Sequence, residues 1–292
     1  MKSTVYWILA IIITLSAAYY QRKTGPTYAK RLEVQANGTP YDLKLVRSIE
    51  IGSGSYVKLA IDDTTISARV YFKRFKTGDP YSFADFKYEE HPINSFIMNK
   101  IFKITEEKGF FAELPEQEAA GKLQYYIDIT DKSGKSVYFE NEPVVIRFKG
   151  AVPSIWLTPH IFIMFFAMLL STLAGLMSVG RHKSYKKYGV WTLILLVIGG
   201  MILGPIVQKY AFGALWTGIP FGWDLTDNKT LIAVLFWIIA VYANLKSDKP
   251  LLTALAAFVL LLVYSVPHSL FGSELDYGSG EVVQGIILNL HL

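Results

Sequence analysis

The sequence predicts a helical membrane protein with five transmembrane helices joined to an all-β sandwich. Three observations lead there. Charge is divided unevenly: of 29 Lys and Arg and 24 Asp and Glu in 292 residues, only eight and six fall after residue 150. Five apolar runs are long enough to be considered as spans, four of them in that charge-poor half. Between the first run and the other four, short alternating segments are punctuated by turn residues. A hydrophobic share of 52% excludes a disordered chain. The absence of cysteine excludes disulfides, thiolate metal sites, cysteine nucleophiles and covalent c-type haem.

The first run, Val5 to Tyr20, follows Lys2 and stops at Arg22-Lys23. Ser16 and Ala18 fit a small-residue cleavage pattern, yet the segment reads as an uncleaved signal anchor. The second, Ile155 to Met177, carries no Lys, Arg, Asp or Glu, and the third, Tyr188 to Gln208, is similar. The fourth (Thr230 to Leu245) and fifth (Leu251 to Val266) have 16 residues each. At about 1.5 Å per residue each reaches about 24 Å, short of a hydrocarbon core of about 30 Å. Neither run contains Gly or Pro, so both are read as spans rather than as a re-entrant hairpin.

Loop charge sets the expected orientation. Arg181, Lys183, Lys186 and Lys187 lie between runs two and three, and Lys246 and Lys249 between four and five. The opposite ends offer only Lys209 and Lys229. Short cation-rich loops stay in the cytoplasm. The N-terminus is then cytoplasmic, while residues 25–150 and the tail lie in the periplasm. Arg22, Lys23, Lys30 and Arg31 oppose this placement, but long domains translocate largely regardless of charge. The expected division is an anchor (1–24), a sandwich (25–150), a four-helix membrane domain (151–270) and an extracytoplasmic tail (271–292).

Strands are expected at Arg31–Ala36, Tyr41–Ile51, Tyr56–Ile61, Ile66–Phe75, Phe96–Ile104, Gly109–Leu114, Lys122–Thr130, Lys135–Phe139 and Pro143–Lys149. Asn37-Gly38 supplies a hairpin-type turn. The hairpin from Tyr125 to Gly134 and the closing strand Val144 to Phe148 resemble an immunoglobulin-like or fibronectin type III-like sandwich, without a Cys–Trp–Cys signature. The resemblance implies a module that docks a partner or spaces it, with sugar or ligand binding as the alternative. Tyr71, Phe72, Tyr81, Phe83, Phe86 and Tyr88 either mark a binding face or alternate into the core.

The membrane half offers two histidines near the outer ends of spans, His160 in Thr158-Pro159-His160 and His268 in Val266-Pro267-His268. Neutral imidazoles at one depth on two helices suit a b-type haem or a metal ion. Asp224, Asp227, Glu274 and Asp276 are the carboxylates expected to orient those rings. The alternative is interfacial, with both rings bonded to head groups or loop backbone. Residues 209–228, rich in Gly and aromatics, are too apolar to float in water. They read either as an interfacial anchor or as a lid over a quinone head group, with Trp216 and Trp223 as stacking surfaces. Asp227 or Asn228 is expected to cap the fourth helix. Gly200 and Gly204 form a GxxxG, Ser171 and Gly175 repeat that spacing, and Pro205 is expected to kink the third helix.

No Walker loop, GxGxxG after a strand, HExxH or GxSxG is present. His91, His182 and His291 are read as loop or tail residues, and a net charge of +5 does not point to nucleic acid. Residues 204–213, 220–230 and 267–277 resemble a family of bacterial multi-span membrane proteins, over roughly 150–280. That resemblance implies a bacterial inner membrane and transfers no catalytic role.

The expected function is an accessory or scaffold subunit of an inner-membrane complex, respiratory or electron-transferring, and not an enzyme on its own. Its partners are the lipid bilayer and other envelope membrane proteins. The alternatives are a small transporter or ion-handling protein, disfavoured by the lack of charge and of broken helices at mid-membrane, and a scaffold without cofactor.

Overall fold

The computed structural model describes residues 3–93, 100, 102–103, 105–268 and 272–284. Most of the expected strand Phe96–Ile104, and His291, lie outside the described residues. The chain divides into a helical unit (Met1–Pro26, Gly150–Glu274 and Val282–Leu292) and a strand unit (Thr27–Lys149 with Leu275–Glu281).

The helical unit contains α1 (Ser3–Thr24), α2 (Ser154–Val179), α3 (Tyr185–Phe212), α4 (Leu225–Lys246) and α5 (Pro250–Ser265) among the described residues. Successive helices run in opposite directions. Tyr6 near the start of α1 meets Gly180 just past the end of α2. Ala18 and Gln21 near the end of α1 share a cavity with Leu157 and His160 near the start of α2. Small residues let the helices approach closely: a Cβ on Gly175 would stand 2.5 Å from the Ala257 Cβ on α5. Trp237 is fully buried among Met164, Met168, Leu196 and Leu260.

α3 is not a regular helix. Its middle, Val197–Leu203, is π-helical, between α-helical Tyr185–Leu196 and Gly204–Phe212. Pro205 lacks an N–H and cannot close an α-helical bond, so the ladder shifts register just before it. The expected kink is a change of helix type.

Among the described residues the strand unit has one hydrophobic core enclosed by three sheets. β1 (Lys30–Ala36) and β2 (Thr39–Leu45) form a hairpin through Asn37-Gly38, both with positive φ as a tight turn requires. A six-stranded sheet runs β3 (Ser48–Glu50), β11 (Val144–Lys149), β9 (Lys122–Asp131), β5 (Ser67–Arg74), β6 (Ser82–Asp85), with β10 (Gly134–Tyr138) also paired to β9. A three-stranded sheet runs β4 (Tyr56–Leu59), β8 (Glu106–Glu113), β7 (Lys87–Pro92). β9 shows the period-two logic, with Leu123, Tyr125, Ile127 and Ile129 buried. The Tyr125 hydroxyl donates to the Val46 carbonyl at 2.8 Å, satisfying backbone where the chain leaves β2 for β3. β12 (Ser273–Leu275) and β13 (Val282–Gln284) form a short pair near the C-terminus. In the strand unit the Leu275 N–H donates to the Ala120 carbonyl, and the Tyr277 hydroxyl accepts from the Lys122 N–H at 2.9 Å.

The fold class expected from sequence is corrected on both counts. Among the described residues four helices, not five, are long and apolar enough to cross a membrane; Pro250–Ser265 is a shorter apolar helix. The strand unit is not a single immunoglobulin-like sandwich. The expected strand Tyr41–Ile51 breaks at Val46-Arg47, and its second half turns to pair β11 in parallel, Ser48 opposite Arg147. Two strands that sequence did not suggest, β6 and β7, complete the sheets.

Candidate functional site

The first turn of α4 is the anchor of the site. Asp224 caps the helix, its carboxylate accepting from the Thr226 N–H at 2.8 Å and the Asp227 N–H at 3.3 Å. Asp227, one turn in and 5% exposed, holds the preceding loop. Its Oδ2 accepts from the N–H groups of Thr217 (2.6 Å) and Gly218 (3.1 Å), the Gln208 amide (3.1 Å) and the Thr217 hydroxyl (3.2 Å). Gly218 is required by this approach, since a Cβ there would stand 2.7 Å from the Asp227 Cβ. Asn228 Oδ1 takes the Ile219 N–H at 2.8 Å. Lys229, 6% exposed, donates its ammonium to the Val266 carbonyl at 2.7 Å and more weakly to that of Pro267 at 3.4 Å. Those carbonyls end α5, where a cation is favoured by the unpaired C=O groups and the helix dipole.

Above this platform, a cavity of about 460 Å³ opens among all five helices. Its apolar wall comes from α2 and α3, with Leu157, Ile161, Met164, Phe165, Val207 and Phe212. Its polar wall holds His160, Gln208, Asp224, Asp227, Thr230 and His268. The half-buried His160 has its Nδ1 2.9 Å from the Gly199 carbonyl oxygen. A carbonyl only accepts, so Nδ1 carries the proton and Nε2 keeps its lone pair. The π-helical turn sets up this bond, because the same Gly199 oxygen takes the Gly204 N–H five residues on. His268 follows the two carbonyls that Lys229 binds, with its ring 6.3 Å from that of Tyr264 in an edge-on contact.

The structure therefore sets His160 and His268 on the walls of one cavity. Three of the carboxylates expected to orient them, Asp224, Asp227 and Asp276, do other work. Among the described residues neither imidazole is hydrogen-bonded to a carboxylate, and no group of three or more His, Asp and Glu is arranged to hold a metal ion. Asp224 caps α4 and receives the Ser273 hydroxyl at 3.4 Å, and Asp227 ties down the loop. Glu274 is buried in β12, while Asp276 belongs to the strand unit, where its carboxylate takes the Gly278 N–H at 2.8 Å. Neither Trp216 nor Trp223 lines the cavity: Trp216 Nε1 donates to the Ile219 carbonyl, and Trp223 is 72% exposed. Sequence reading missed Gln208, Tyr264 and the Gly199 carbonyl. The signal available for the last was the Gly199-Gly200 pair followed by Pro205 inside an apolar helix.

Comparison with family models, with curated proteins and with solved structures finds no match to this chain. Its chemistry rests on the site alone.

Proposed function

We propose that the chain is an integral membrane protein whose helical unit binds an amphiphile carrying a hydroxylated ring, such as a quinol, with the head group at His160 and His268 and the apolar tail along α2 and α3. One observation carries the reading: His160 spends its only proton on Gly199, so the Nε2 it retains is an acceptor and calls for a donor on the ligand. Mixed lining supports it, since pockets for such molecules are mostly apolar with a few convergent polar groups. Four helices of spanning length support the membrane setting. In the orientation favoured by loop charge, the cavity end faces the periplasm and the basic turns face the cytoplasm of a bacterial inner membrane. The chain would serve there as an accessory subunit that holds this ligand for a larger complex.

Haem is the second reading, favoured by two imidazoles on one cavity. Purified protein separates the two. Quenching of tryptophan fluorescence by a short-chain quinol, with no Soret band in oxidised or dithionite-reduced samples, supports the amphiphile. A Soret band that is lost in His160→Ala establishes haem instead. Absence of both signals rejects both ligands.

A further inference from the structure

The opposite end of the helical unit carries a second concavity, apart from the histidine cavity. A groove of about 430 Å³ runs between α1, α2 and α5, walled by Tyr6, Thr172, Val179, Ala254, Phe258 and Leu261. Its floor is where Gly175 and Ala257 meet, and a side chain of any size on Gly175 would close it. From Thr172 to Val179 it follows α2 for about 10 Å along the helix axis. The walls are apolar and open to the outside, with Val179 74% and Phe258 58% exposed.

The residues flanking the walls indicate the occupant. Gly180 of the groove leads directly into Arg181, and α5, which supplies Ala254, is preceded by Lys249. Both cations are exposed, and among the described residues neither has an acidic partner. Lys183 and Lys187 extend the basic end, whereas Lys186 is paired with Asp248, the one acid of these two turns. An apolar slot ending at unpaired cations matches a molecule with an acyl chain and an anionic head. It does not match a neutral lipid or an apolar helix, either of which would leave the cations unused.

We infer that this groove is a seat for an anionic phospholipid, one acyl chain lying over Gly175 and Ala257 and the phosphate meeting Arg181 and Lys249. The inference rests on the membrane setting proposed above but not on the cavity ligand.

Native mass spectrometry of the detergent-purified full chain, with added phosphatidylglycerol or phosphatidylcholine of identical chains, tests it. Phosphatidylglycerol adducts should persist at collision energies that strip phosphatidylcholine. The exposed pair Arg181→Gln with Lys249→Gln should lower their abundance by about tenfold, as should Ala254→Phe, which fills the slot. Thermal melting of each variant confirms that it is folded, and the exposed charge pair provides the test if Ala254→Phe is not. Equal retention of the two lipids, or unchanged adducts in a folded variant, overturns the seat. So does a dimer that disappears in Ala254→Phe, because the groove would then hold a second copy of the chain. Carbonate washing of membranes separates the two levels: a chain released by carbonate fails the membrane setting itself, while a retained chain without lipid preference fails only the seat.

Discussion

The Nδ1 of His160 lies 2.9 Å from the carbonyl oxygen of Gly199, 39 residues away on α3. This one contact links a helix irregularity to ligand chemistry, because it decides which ring nitrogen keeps a lone pair. Two substitutions separate its two roles. In His160→Asn the amide nitrogen replaces Nδ1 and keeps the bond to Gly199, but nothing replaces Nε2. In His160→Gln the amide reaches the Nε2 position and leaves Gly199 without its side-chain donor. The Asn variant should melt like the parent and lose quinol quenching. The Gln variant should retain binding and lose about 1 kcal/mol of stability. Equal damage to both properties in both variants would mean the bond does not set the tautomer.

The two glycines of the π-helical turn differ in their nearest neighbour. A Cβ on Gly199 would stand 2.8 Å from Ile163 Cγ2 on α2, and one on Gly200 would stand 2.6 Å from Thr230 Cγ2 on α4. Gly200→Ala should therefore cost about 1–3 kcal/mol through overpacking. Adding Thr230→Ser removes the methyl that clashes and keeps the hydroxyl bonded to the Thr226 carbonyl, so the double variant should recover most of the loss. Gly204→Ala is the control, since its Cβ would meet nothing closer than 3.5 Å. Guanidinium or thermal unfolding in detergent measures all four proteins.

These cases show what sequence makes legible here. Apolar runs locate the helices because a bilayer demands an uninterrupted stretch. They underestimate length where polar residues finish a helix: α4 begins at Leu225, not Thr230, because Asp224 caps a first turn that reads as loop. Opposed helix directions explain why His160 and His268, at a start and an end, reach one cavity. Which carbonyl His160 meets depends on a register shift in α3, and hydropathy does not encode register. In the strand unit, the parallel pairing of β3 with β11 joins residues about a hundred positions apart, and no local pattern announces it. β7, with the sequence Lys87-Tyr-Glu-Glu-His-Pro92, is an exposed edge strand whose charge conceals its conformation.

Asp227 accepts more hydrogen bonds from the loop before α4 than Asn228 does. Its Oδ2 receives four donors, two of them backbone N–H groups of Thr217 and Gly218. Removing the carboxylate takes the side-chain acceptor away from the backbone N–H groups of Thr217 and Gly218 in a buried place, while the Gln208 amide keeps its bond to the Thr217 hydroxyl at 2.7 Å, so Asp227→Ala should cost about 3 kcal/mol. Asn228→Ala, which gives up the single bond to the Ile219 N–H, should cost about 1 kcal/mol. Limited chymotrypsin digestion reads this directly, because Trp216, Phe221 and Trp223 all lie on the loop. Cleavage there should accelerate strongly in Asp227→Ala and slightly in Asn228→Ala. Parental digestion rates in Asp227→Ala would show that the loop is held by something else.

Asn37 ties three loops of the strand unit together, and its partners give the unit an acid sensitivity. The Asn37 side chain donates to Asp63 Oδ2 at 2.6 Å, its N–H donates to Asp131 Oδ2 at 2.8 Å, and its Oδ1 accepts from the Lys132 N–H at 3.0 Å. The hydrogen bond from Asn37, followed by those from Thr65, holds the Asp63 carboxyl at about 2, below its ordinary 3.8. Asp131 is lowered as well, by the Ser133 hydroxyl first and the Asn37 N–H next. A carboxylate whose pKa is depressed in the folded state stabilises that state fully above its unfolded value and loses the contribution as pH falls. The loss for Asp63 should fall between about pH 4 and pH 2. Circular dichroism melts of the full chain across that window should show the strand transition dropping in the parent. Asp63→Asn should begin lower and fall less steeply, since it no longer titrates. A slope in Asp63→Asn equal to that of the parent would place the acid sensitivity elsewhere in the unit.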